Sequence, residues 1–117
     1  MLPLLTFEPI FQERVWGGRR LETLFGKPLP PGQRIGESWE VSDRPGAASV
    51  ITADPFAGRD LRWLMENHAG ELLGDAPSAD GRFPWLAKLL DANEDLSVQV
   101  HPPAEVAGEL GGEPKTE

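Results

Sequence analysis

Leu96-Ser97-Val98-Gln99-Val100-His101, closed by Pro102-Pro103, is the stretch on which the reading of this chain turns. Apolar and polar residues alternate without a break, the period of a β-strand with one face covered. The proline pair ends the run, because proline donates no backbone hydrogen bond and does not continue a central strand. Period two puts Leu96, Val98 and Val100 on one side, expected in a core, and Ser97, Gln99 and His101 on the other. That second row carries a hydroxyl, an amide and an imidazole, each ~6.6 Å from the next, so Gln99 and His101 can converge on one ion. Zinc accepts imidazole nitrogen and side-chain oxygen but needs three or four ligands, and a third comes from Glu117 only if the chain folds back beside the strand. The same row also fits the ordinary solvated face of an edge strand.

Upstream of it, Phe83 to Leu90 is apolar apart from Lys88, and its length and Pro84 favour a strand over a helix. Asp60 precedes Leu61, Leu64, Met65, His68 and Leu72 at helical spacing, which predicts a capped helix over 61–73, weakened at Gly70 and ended at Gly74. Glu37 to Ser42 and Ala48 to Thr52 are β-rich runs flanking Pro45-Gly46, and read as a hairpin or two neighbouring strands. Trp16, before Gly17-Gly18, is expected to pack, and His68 to cap or face solvent rather than bind a metal.

The length of 117 residues allows one domain, and 39% hydrophobic with 26% charged residues excludes wholesale disorder. With no cysteine, disulfides, thiolate metal sites and a cysteine nucleophile are excluded, so any metal relies on nitrogen and oxygen. Met1 to Phe11 lacks the basic start of a signal peptide and no apolar run reaches the ~20 residues of a membrane span, so a cytoplasmic location is expected. Residues 1–59 hold seven acidic and seven basic side chains, residues 60–117 twelve and four. Such an acidic half argues against nucleic acid and anionic membrane as partners. An anionic ligand there must use a few placed cations from Arg62, Arg82, Lys88 and Lys115.

The string Leu96 to Pro102 resembles the metal-binding strand of the zinc-dependent mannose-6-phosphate isomerases. Four further segments in the same order strengthen the resemblance: Trp16-Gly17-Gly18 with Leu21, Gly36 to Ser42, Phe83 to Ala92, and Lys115-Thr116-Glu117. The resemblance implies a mainly β, cupin-type (jelly-roll-like) barrel, incomplete, with one short helical region at 61–73. Residues 1–117 would form the N-terminal part of a single cupin-type isomerase domain. It also implies that Gln99, His101 and Glu117 bind Zn2+, that Lys88, Ser97 and Lys115 line a sugar-phosphate pocket, and that Glu37 and Trp39 lie near the cleft. Pro103-Ala104-Glu105 and Gly111-Gly112-Glu113-Pro114 depart from the family pattern without removing a ligand, and the fourth metal ligand and a catalytic arginine of the family have no counterpart in these residues.

The implied activity is interconversion of mannose 6-phosphate and fructose 6-phosphate. A cupin-type iron dioxygenase fits less well, since it takes two or three histidines with a carboxylate and the chain has only His68 and His101. A non-catalytic sugar-binding or structural cupin fragment is the alternative from another class. Oligomeric state has no signal in the sequence.

Overall fold

The structure, a computed structural model, describes residues 1–115. In chain order it runs β1 (Ile10–Gly18), α1 (Arg20–Phe25), β2 (Ile35–Val41), β3 (Asp43–Arg44), β4 (Ala47–Ala48), α2 (Leu61–Leu73), β5 (Ala87–Leu90) and α3 (Ala104–Ala107). The main sheet has the order β1-β2-β5, and both pairings are antiparallel. The fold is mainly β with short helices, and the described strands form an open sheet rather than a closed barrel, in keeping with the incomplete barrel expected.

Glycine decides how closely β1 and β2 meet. A Cβ on Gly17 would lie 2.4 Å from the Gly36 nitrogen, so only a residue without one permits the approach. Gly17-Gly18 therefore ends a bulged strand. One small core, Leu21, Leu29 and Ile35 with Phe11, fills the space between this sheet, α1 and the Pro28–Gly32 loop.

The second core gathers Ile51, Leu61 and Leu64 under Phe7, Val41, Phe56, Trp63 and Phe83. Its frame is the hairpin the sequence placed around Pro45-Gly46: Asp43 pairs with Ala48, and the Ser49 amide donates to the Ser42 carbonyl at 2.7 Å. Helix α2 has the predicted bounds, with the Asp60 carboxylate accepting from the Trp63 amide at 2.8 Å and the Gly74 amide closing on the Gly70 carbonyl at 3.0 Å. The irregular residue is His68 (φ −136°, ψ 22°), two positions before the expected weak point at Gly70. Its ring contacts Phe56 and Trp63, with 5.4 Å between centroids in each case, and its Nδ1 lies 3.0 Å from Glu71 Oε1. The side chain is packed and paired rather than a metal ligand or a cap.

Asp43 binds these parts together. Its side chain is 0% exposed, with Oδ2 accepting from the Phe83 amide at 2.9 Å and lying 3.2 Å from Arg62 Nη1. Arg82 Nη1 lies 3.5 Å from Oδ1 and donates to the Asp43 carbonyl at 2.8 Å. The carboxylate thus joins the hairpin, α2 and the segment that leads into β5. A buried charge of this kind persists only with cations and donors around it.

The Leu96–His101 stretch corrects the sequence reading. It is not part of a sheet, and Val98 and Val100 are 98% and 88% exposed rather than buried. Alternation prepares a strand for a core but does not supply one: among the described residues no neighbour takes up its backbone groups and no layer covers its valines. Likewise the Phe83–Leu90 strand is shorter than expected, confined to Ala87–Leu90 where β2 is available as a partner.

Two substitutions test this frame by urea unfolding. Asp43→Ala should lower stability by about 3–5 kcal/mol, since it strands two arginines around an empty site. Gly17→Ala should cost about 1–3 kcal/mol by forcing β1 away from β2; unchanged midpoints would show that neither contact is needed.

Candidate active site

A second buried carboxylate organises the main sheet. Glu37 faces Gln12 of β1 and Leu90 of β5 in register, and its side chain is 8% exposed. Oε1 accepts from Lys88 Nζ at 2.8 Å, while Oε2 accepts from Arg14 Nη2 at 2.9 Å and Trp39 Nε1 at 3.2 Å. One side chain from each outer strand therefore meets a carboxylate on the central one. Burial by itself raises the Glu37 carboxyl, but hydrogen bonds from Lys88 and Trp39 with the charges of Lys88 and Arg14 outweigh it, so the group sits below its usual 4.5.

Held this way, Lys88 lines a groove of about 500 Å³ together with Lys115, Arg44, Pro84, Trp85 and Leu86. The two lysines singled out by sequence are thus brought to one cavity from β5 and from the end of the described chain. Glu37 accepts from Lys88 and from Trp39, so Trp39 reaches Lys88 only through the Glu37 carboxylate, and Glu37 lies within β2. Ser97 does not line this groove.

Ser97 and Gln99 do lie on the same side of their segment, as period two requires, because Gln99 Nε2 donates to Ser97 Oγ at 3.3 Å. The bond turns the amide nitrogen to the hydroxyl and leaves the amide oxygen as the atom to meet a cation. His101 is exposed two residues further on. An amide oxygen and an imidazole suit zinc as a donor set. Glu117, the third expected ligand, lies outside the described residues, and among the described residues no three His, Cys, Asp or Glu side chains come together as a metal site.

Two cations escaped the sequence reading. Arg14 was legible in principle, since it sits on β1 two positions from the residue opposite Glu37, a diagonal neighbour across the pair. Arg44 carried no signal of its own, because only the turn of the hairpin sends it to the groove.

The Glu37 geometry gives a pH-dependent expectation. A carboxyl whose folded pKa lies below its unfolded value contributes stability that is full above the unfolded pKa and is lost as pH falls through the folded one. Glu37→Gln should therefore cost about 1–3 kcal/mol at pH 7, and the gap from the parent should narrow below pH 4.5 as Glu37 itself protonates. A gap independent of pH in urea unfolding would contradict the ionised cluster.

Residues 4–115 match the family described as phosphomannose isomerase type I, catalytic domain. Mannose-6-phosphate isomerase ManA of Bacillus subtilis strain 168 is 45% identical over 115 residues, covering 92% of this chain and 34% of that protein. The probable mannose-6-phosphate isomerase GmuF of the same organism is 44% identical over 113 residues, again 92% of this chain and 34% of that protein. The crystal structure of the mannose 6-phosphate isomerase from Bacillus subtilis superposes with a TM-score of 0.77 at 39% identity, covering 90% of this chain and 32% of that one. The chain spans about a third of the length of these relatives. With residues 4–115 matched, the chain belongs to the phosphomannose isomerase type I family.

Proposed function

We propose that this chain contributes the phosphate-binding side and part of the metal site of an isomerase that interconverts mannose 6-phosphate and fructose 6-phosphate. The observation that carries the reading is the convergence of Lys88 and Lys115 on one groove in the acidic half of the chain. A phosphate dianion needs cations there, and of the four in residues 60–117 these are the two that line the groove. The phosphate is remote from the carbons that react, so Lys88 and Lys115 would position the sugar and contribute chiefly to binding. Ser97, beside Gln99, would offer a hydroxyl to the sugar. Trp39 would hold Glu37, and Glu37 would hold the Lys88 ammonium toward the groove.

In this reading Gln99, His101 and Glu117 hold zinc, by the amide oxygen, an imidazole nitrogen and a carboxylate. When bound, zinc supplies charge stabilisation for the sugar oxygen that becomes negative as a proton moves between C1 and C2. The residues of this chain would hold that ion and the phosphate. A sugar phosphate is a metabolite of the cell interior, which accords with a cytoplasmic location, and among the described residues no helix is long and apolar enough to cross a membrane.

A coupled assay of fructose 6-phosphate formation, run beside zinc titration, tests the reading. The 117-residue chain should bind zinc weakly and turn over little, since it offers at most three ligands, whereas a version extended to the length of its relatives should do both. In the extended version His101→Ala should abolish tight zinc binding. Lys88→Met should raise KM for mannose 6-phosphate about tenfold or more with a smaller change in kcat. Phosphate binding without turnover by the extended version would favour a non-catalytic sugar-phosphate binder instead.

A further inference from the structure

We propose that Arg44 is a third phosphate-binding cation of the same groove, held in reserve by Glu113; the inference rests on the groove being the phosphate site. Arg44 lines the cavity with Lys88 and Lys115, so three cations and, among the described residues, no carboxylate line that space. The adjoining hollow, which Arg44 also borders, is lined by Asp43, Asp80 and Glu113 together with Arg82, so its charges are largely answered within it. Arg44 is the residue that the two spaces share.

The backbone that carries Arg44 is fixed. Its amide donates to Ser42 Oγ at 3.2 Å, its strand pairs with Ala47, and the preceding Asp43 is clamped by Arg62, Arg82 and the Phe83 amide. The side chain itself is not fixed: it is 50% exposed and meets Glu113, 76% exposed, at 3.3 Å. An ion pair so open to water contributes little, so a phosphate can replace the carboxylate at small cost. A guanidinium adds what two ammonium groups lack, a planar fork that grips two phosphate oxygens at once. Glu113 competes with the ligand, and its segment leads directly into Lys115.

The test is a titration of the 117-residue chain with mannose 6-phosphate, inorganic phosphate and unphosphorylated mannose, followed by amide chemical shifts at low ionic strength. Arg44→Gln should weaken both phosphate ligands about tenfold and flatten the dependence of affinity on salt. Arg44→Lys should recover part of the loss, and Glu113→Gln should tighten binding a few-fold, while mannose should respond to none of these changes. An exposed arginine can be replaced without unfolding the chain, and unchanged circular dichroism would verify that. Arg44→Gln binding phosphate as the parent does, with Lys88→Gln weakened, overturns the role of Arg44 and leaves the phosphate groove standing. A parent chain that binds neither phosphate ligand overturns both.

Discussion

The buried carboxylate of Glu37, neutralised by the cations brought to it, is the contact that shapes the sheet. It sits on the central strand of three and draws Arg14 from one side and Lys88 from the other. Neither cation could point elsewhere without leaving a charge unpaired at low dielectric. The ammonium of Lys88 is thereby set at the rim of a groove rather than swinging on a four-carbon stem. One ion pair thus both closes the sheet and fixes a groove-lining cation.

Asp43 plays the corresponding part for the second core. It engages Arg62 and Arg82, half of the cations that the acidic half of the chain possesses. Lys88, itself paired with Glu37, and Lys115 line the groove, with Arg44 added from the hairpin that Asp43 anchors.

Helix α2 was readable because every signal for it is local. Asp60 caps it, Leu61, Leu64 and Met65 face the core, and Gly74 ends it, all within one stretch. The hairpin at Pro45-Gly46 was readable for the same reason, turn chemistry between β-rich runs. The Leu96–His101 segment shows where such reading stops. Its alternation is intact and its Ser97–Gln99 contact confirms the shared side, yet its valines stand in solvent, since burial is a property of what packs against a segment.

The order of residues alone was enough for the local elements, the alternating donor row Ser97, Gln99 and His101, the absence of thiol chemistry and the family resemblance, because each depends on neighbouring residues or on residue type. Which charges meet was left to the tertiary structure. Glu37 lies 51 residues from Lys88 and 23 from Arg14, and no periodicity spans such distances. The close approach at Gly17, the clamp on Asp43 and the arrival of Arg44 beside Lys88 and Lys115 belong to that class as well. They arise from strand register and turn geometry, which place residues that are distant in sequence at hydrogen-bonding distance or around one cavity.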